Sequence, residues 1–351
     1  MGNFIGFGEA GLFDEFMQNL DVAAFETPLM RVGRIVRWEM FEKTLIEAIK
    51  VEAKGPGGRP RFHPLLMFKV LVLQRLHGLA DDAISYQISD RNSFRAFLGL
   101  TPGDMVPDGQ TISDFRQALI KAGAMDGLFE IFLGHLQQEH GLALASKGVM
   151  IDASFCEVPR QRNSREDNAR IKAGESAGFA NNPKVKAHKD VDARWTKKNN
   201  ETFYGYKDHV KVDVEDKLIL KAVITSANVH DSQPLEELVA EGDQVAYADS
   251  AYCSEAVNAV LAARNIKGRI NAKGVRWRPL LSEEEKAANR EKSRTRCRVE
   301  HVFAQMTGSM KALFQRCIGF ERNAACLKLT NLVYNLLRFE QIIRLKLHSP
   351  A

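Results

Sequence analysis

The chain has 351 residues, with 49 Lys+Arg against 44 Asp+Glu and a formal net charge of +5. Its 45% apolar and 26% charged composition is that of a soluble globular chain of about two domains, which excludes wholesale disorder. Five cysteines without a C-x-x-C pair exclude a disulfide or zinc framework and point to reduced thiols in the cytoplasm. No basic residue precedes Arg31, and the longest apolar run, Leu65–Leu73, is broken by Lys69, so neither a signal peptide nor a membrane span is expected.

The charge is unevenly spread. Residues 159–211 carry 13 basic against 7 acidic side chains, and 264–346 carry 19 against 7. Between them, 212–263 carries 2 against 10. Such a pattern suits a polyanion site built around acidic metal ligands, and equally two solvated basic faces.

Residues 1–37 read as an N-terminal extension, with Phe13, Phe16, Met17 and Leu20 at amphipathic-helix spacing. Gly6, Gly8 and Gly11 spell G-x-G-x-x-G, but no strand can precede them, so no dinucleotide site is expected. Residues 38–141 read as helical, in segments Glu39–Lys50, Pro64–His77, Asp81–Ser89, Ser93–Leu98, Thr111–Ala122 and Met125–Glu139. Asp81, Ser93 and Thr111 are the expected N-caps. A helix-turn-helix-like DNA-binding module and a plain bundle both fit.

From 142 to 345 the pattern becomes mixed α/β. A strand at Val149–Ala153 precedes a basic loop, Arg160–Asn200, read as ordering on DNA. Strands Phe203–Val214 and Leu218–Thr225 form a hairpin. A helix at Asp231–Ala240, a strand at Gln244–Asp249, a helix at Ser254–Arg264 and a strand at Ile266–Asn271 follow, before a long helical tail from Ser282 past Phe339.

Asp152 and Asp249 sit at the ends of two apolar strands, where a carboxylate is costly unless paired or bound to a metal. Adjacent strands would bring both into one pocket, where hard oxygen donors favour Mg2+ or Mn2+. Each Asp could equally cap the turn after it. Glu300 borders a core stripe of Val299, Phe303, Met306, Met310 and Leu313, and shares a helix face with Arg296, Ala304, Thr307 and Lys311. An ordinary Arg296–Glu300 pair is the simpler account of that face.

Five runs come in one collinear order: Met150-Ile151-Asp152-Ala153-Ser154, Tyr204-Gly205-Tyr206-Lys207-Asp208-His209, Ala227-Asn228-Val229-His230-Asp231, Tyr247-Ala248-Asp249-Ser250-Ala251-Tyr252, and Arg296-Cys297-Arg298-Val299-Glu300-His301-Val302-Phe303. Upstream stand Phe62-His63-Pro64 and Pro107-Asp108-Gly109-Gln110-Thr111-Ile112 with Phe115-Arg116. Together they resemble the DDE transposases of bacterial insertion sequences, most of all the insertion-sequence-five-like group.

The resemblance implies an RNase H-like mixed sheet with flanking helices, preceded by an all-helical N-terminal domain for DNA binding or dimerisation. It implies Asp152, Asp249 and Glu300 as catalytic residues holding two Mg2+ ions, with Mn2+ as substitute and Asp152 shared between them. It implies cleavage and strand transfer at terminal inverted repeats, by a homodimer acting on double-stranded DNA and a target. In the related Tyr-x2-Arg-x3-Glu-x6-Lys signature, Arg296 and Glu300 fit, but Ser293 and Thr307 stand at the Tyr and Lys positions. Lys311 is the candidate replacement. Arg296, Arg298 and Lys311 are candidates for phosphates near the scissile bond. Lys207 and His209 point to one strand face, where His209 is equally a DNA contact or a structural histidine. Arg276-Trp277-Arg278 suits either stacking on an unpaired base or a surface-loop Trp anchored on the core. No G-x-x-x-x-G-K-[ST] loop occurs, and no nucleotide triphosphate or membrane is expected. A non-catalytic or purely hydrolytic protein derived from a transposase is the alternative.

Overall fold

The computed structural model describes residues 4–5, 26–50, 60–101, 103–161, 163–173, 184, 188–198, 200–274 and 282–345. The chain divides into two compact units, one of residues 1–139 with 332–351 and one of residues 140–331.

In the first unit, helix α1 (Pro28–Ile35) starts at Thr27, whose hydroxyl accepts from the Met30 N–H, with Pro28 in the first turn. Helix α2 (Glu42–Ala48) follows a 3-10 turn at Trp38–Phe41. Helix α3 (Pro64–His77) has the bounds its sequence predicts: His63 caps its start and Gly78, at φ +60°, closes it. Helices α4 (Asp81–Asp90), α5 (Asn92–Leu98), α6 (Gly109–Lys121) and α7 (Ala124–His140) complete the set. Helix α6 starts before Thr111 because the cap is Asp108, whose carboxylate accepts from the Thr111 N–H at 2.7 Å. Two short strands, β1 (Phe4–Ile5) and β2 (Arg61–Phe62), pair in parallel, so the region is not purely helical. Trp38, Phe41, Phe68 and Phe97 form its aromatic centre, with Trp38 edge-on to Phe97 at 5.6 Å. Arg116 is buried and bonded to Asp81 and Gln74, so this cation ties α6 to α3 and α4.

In the second unit, the central strand β3 (Val149–Glu157) pairs antiparallel with β5 (Glu201–Asp213) along its whole length. Its other side meets β7 (Val245–Ala248) in parallel only at Val149–Ala246 and Met150–Tyr247. Strand β8 (Lys267–Ile270) continues parallel beyond β7. The far edge of β5 is shared end to end by β4 (Arg194–Lys198) and β6 (Ile219–Ser226). Alternation along the strands makes two apolar faces. Val149, Ile151, Ala246 and Ala248 pack with Val257 and Leu261 of helix α10 (Glu255–Ala263). Cys156, Tyr206 and Ile224 pack with Ala324 and Leu327.

Three expectations from the sequence give way here. The stretch 160–200 is not one loop: it holds α8 (Arg165–Lys172), capped by a Ser164–Asp167 box, and β4. The helix expected over Asp231–Ala240 shrinks to α9 (Leu235–Leu238). Buried ion pairs draw both ends of that segment onto β5, Lys207–Asp231 at 2.7 Å and Lys211–Asp243 at 3.0 Å. The helical tail is broken into α11 (Glu283–Arg296), a 3-10 turn at Cys297–Val299, α12 (Glu300–Gly308) and α13 (Phe320–Arg344). Of the expected stripe, Val299, Met306 and Met310 are buried, while Val302 is buried in place of Phe303. Beyond α12 the chain runs beside the end of β3, where the Glu157 N–H donates to Leu313 O at 3.0 Å. No helix among the described residues is long and apolar enough to cross a membrane.

Gly205 lies on β5 opposite Glu157 with φ +146°, and a Cβ there would collide with the carbonyl oxygen of Cys156. Gly205→Ala is therefore expected to lower unfolding stability by about 1–3 kcal/mol, read by urea denaturation of the full chain. An unchanged midpoint contradicts this close approach.

Candidate active site

The sheet opens just past the Met150–Tyr247 pair, and Asp152 and Asp249 each lie two residues beyond it. Asp152 does not end its strand, which runs on to Glu157. It sits on a stretch of β3 that β7 no longer covers. Asp249 follows β7 directly, and its carboxylate accepts from the Ala251 N–H at 2.8 Å to start the turn Ser250–Tyr252. The capping role is real for Asp249, and it leaves one oxygen over.

Burial pushes the Asp152 carboxyl up to about 6. The charge of Asp249 adds to the rise, while the Ala153 N–H, Arg296 and Lys198 oppose it. A desolvated carboxylate beside a second one is a site that attracts cations. The Tyr252 hydroxyl is buried with no hydrogen-bond partner among the described residues, and burial followed by the charges of Asp152, Asp231 and Asp249 raises its pKa well above the usual value.

Arg296 ends α11 and reaches across to the sheet. Its Nη1 donates to Asp152 Oδ2 at 3.1 Å and its Nη2 to Glu300 Oε1 at 3.0 Å. The expected Arg296–Glu300 pair is present, but the same guanidinium also spans to β3. Glu300, in the first turn of α12, is 62% exposed. Among the described residues, no three Asp, Glu, His or Cys side chains converge as a metal-ion site. The guanidinium stands among the carboxylates that such a site needs.

The expected DNA contacts separate into distinct environments. Arg298 donates to Glu215 O at 3.4 Å, at the β5–β6 hairpin. Lys207 is buried, donating to Asp231 and to Val229 O, both at 2.7 Å. His209 is fully buried and shares a 2.8 Å hydrogen bond with Thr225 Oγ1. Lys311 lies past the end of α12 at φ +48°, so it does not continue the helix face of Arg296. It lines a pocket of about 430 Å³ with Ser154, Phe155, Phe203, Thr307 and Phe314. Arg276, Trp277 and Arg278 lie outside the described residues.

Two residues coupled electrostatically to Asp152 carry no distinguishing signal in the sequence. Lys198, at the exposed end of β4, is 3.9 Å from Asp231, and its charge is felt by Asp152. Tyr252 closes the run Tyr247-Ala248-Asp249-Ser250-Ala251-Tyr252, but nothing in one dimension tells an ordinary packed tyrosine from one buried among carboxylate charges.

Burial drives His209 down to about 4, opposed by Asp231 and aided by Lys207. Because the folded value is depressed below the ordinary 6.5, its contribution to stability is complete above that pH and is lost as pH falls through about 4. An imidazole NMR titration is expected to give a midpoint near pH 4, and one at 6.5 or above contradicts this environment.

Comparison with known families matches residues 145–336 to the profile described as "Transposase DDE domain", more than half of the chain. Residues 19–118 match "Transposase domain (DUF772)". The first span contains Asp152, Asp249, Arg296 and Glu300. No solved structure matches the chain.

Proposed function

The chain belongs to the transposase DDE-domain family of DNA-cleaving, strand-transferring enzymes, which use divalent metal ions, generally Mg2+, and from that premise we propose the rest of its reaction. It acts for an insertion sequence of the insertion-sequence-five-like group, cutting at terminal inverted repeats and joining the freed end to target DNA. The observation that carries this is the emergence of Asp152 and Asp249 side by side where β3 and β7 part, with Glu300 one guanidinium away. The antiparallel β3–β5–β6 set, the parallel β3–β7–β8 set and the helices packed on them support an RNase H-like reading of the second unit. The helices of the first unit are read as the part that grips DNA or a second protomer.

The donor set fits two Mg2+ ions or their Mn2+ substitutes. Asp152, Asp249 and Glu300 are hard oxygen donors, and Asp152 is a carboxylate whose ionisation burial disfavours until a cation offsets it. Asp152, Asp249 and Glu300 are the residues that would hold the ions. Bound there, the ions supply Lewis acidity at the attacking and leaving oxygens of an in-line phosphodiester displacement. Water opens the first phosphodiester, leaving a 3′-hydroxyl and a 5′-phosphate. That 3′-hydroxyl then attacks a target phosphodiester and the target's own 3′-oxygen leaves, so the joining step exchanges one phosphodiester for another and needs no nucleotide triphosphate.

The remaining residues position the DNA and the carboxylates. Arg296 brings positive charge to Asp152 for the phosphate at the site, while Arg298, Lys198 and Lys311 are read as contacts to DNA further from it. The Lys207–Asp231 pair and His209 hold β5, β6 and the loop after β6 in register behind Asp152, and so act through position. The Ala251 N–H holds one oxygen of the Asp249 carboxylate and so restricts its rotamer.

Asp152→Asn, Asp249→Asn and Glu300→Gln remove charge with little change in volume. Each is expected to cut element-end DNA in Mg2+ at least about a thousandfold more slowly, while gel-shift affinity changes little. Wild-type cutting by any of the three removes that residue from the site. A substrate carrying a pre-cut 3′-hydroxyl end should be joined to target DNA, whereas cutting without joining describes a hydrolase.

A further inference from the structure

We propose that Arg296 is an exchangeable internal cation: it holds Asp152 and Glu300 while the protein is metal-free and yields the Asp152 carboxylate to a divalent ion. The guanidinium released in this way becomes a phosphate contact. The proposal rests on the metal-site reading above and adds to it a coupling between metal binding and DNA binding.

The geometry carries the argument. Both oxygens of Asp152 are engaged, one by the Ala153 N–H at 2.8 Å and the other by Arg296 Nη1 at 3.1 Å. The backbone donor is fixed by the strand, so an ion approaching Asp152 competes with the guanidinium. A guanidinium and a divalent ion at one carboxylate repel each other strongly in a partly buried setting, and the doubly charged ion gains more from the same oxygens. Arg296 is 18% exposed and Asp152 15%, so water screens this competition only in part.

Two further features make the guanidinium free to leave. Its Nε–H is buried with no hydrogen-bond partner among the described residues, so the arrangement with Asp152 and Glu300 leaves one of its donors unused. Its second partner, Glu300, lies on the next turn of the chain and is largely exposed, so the Arg296–Glu300 contact can shift outward without uncovering a buried charge. A phosphate offers the planar fork two oxygens at once, which matches the donors released from Asp152.

Reciprocity then applies: if metal releases Arg296 toward phosphate, DNA must in turn tighten metal binding. In the absence of DNA, Arg296 weakens metal affinity. Enzyme without its substrate is therefore held as a carboxylate–arginine network, and the ion and the DNA load together.

The test is Mn2+ binding to the full chain without DNA, followed by electron paramagnetic resonance of free Mn2+, with circular dichroism as the check on folding. Arg296→Gln is expected to bind Mn2+ roughly tenfold more tightly than wild type, and Arg296→Lys, which keeps the charge but cannot bridge both carboxylates, to fall between them. Gel shifts with Ca2+, used to suppress cutting, should show that the ion strengthens wild-type binding to element-end DNA more than it strengthens binding by Arg296→Gln. Unchanged or weaker Mn2+ binding in Arg296→Gln overturns the proposal. If Arg296→Gln fails to fold, Arg296→Lys carries the same comparison with a smaller gain. Mn2+ affinity that Asp152→Asn leaves untouched has a different signature: it overturns the metal-site reading itself, and the exchange with it.

Discussion

The sheet of the second unit is paired on one side of β3 along nine residues and on the other along only two. Everything at the candidate site depends on that asymmetry. A strand paired on both sides has its backbone groups committed and its side chains flanked by those of both neighbours, which leaves little room for a ligand between them. Because β7 stops at Ala248, Asp152 lies in the interior of a rigid strand and yet beside an opening. Rigidity and access normally compete, and the early end of one strand supplies both.

The opening imposes an electrostatic cost that the surrounding elements offset. Asp152 and Asp249 face the same gap, and burial together with their mutual repulsion disfavours ionisation of Asp152. Arg296, brought in by the end of α11, offsets that charge and joins Glu300 to it. On the opposite face of the sheet, Lys207 and Lys211 pair with Asp231 and Asp243. Buried ion pairs of this kind contribute little net stability against apolar substitutes, but removing one partner is expensive. Their role is best understood as fixing the path of residues 228–243 across β5, which sets where β7 begins.

Much of this was legible in one dimension. Apolar alternation located β3, β5, β6, β7 and β8 within a few residues, because each strand has an apolar face of period two. Asp152 and Asp249 stood out as carboxylates closing apolar runs, and Arg296–Glu300 as a pair one helical turn apart. The helix over Pro64–His77 was bounded by a proline at its start and a glycine at its end. Illegible were the features set by partners far along the chain. The Asp231–Ala240 pattern reads as helical until Lys207 and Lys211 draw its ends inward. Lys311 shares a helical phase with Arg296, but α12 ends at Gly308. Lys207 and His209 have the composition of a DNA-facing strand, and the structure packs both against the protein's own residues.

The sequence by itself determined the chemistry available: three carboxylates, a flanking arginine, and the elements that carry them. It also determined their order and approximate bounds, since periodicity and capping are local. Tertiary structure alone decided that Arg296 spans from α11 to Asp152, 144 residues away. It also decided that the buried Tyr252 feels the charges of Asp152, Asp231 and Asp249, that the charge of Lys198 acts on Asp152, and that residues 332–351 group with the first unit. The reason is physical. Local propensity is read from neighbours in sequence, whereas Coulomb interactions and burial depend on neighbours in space.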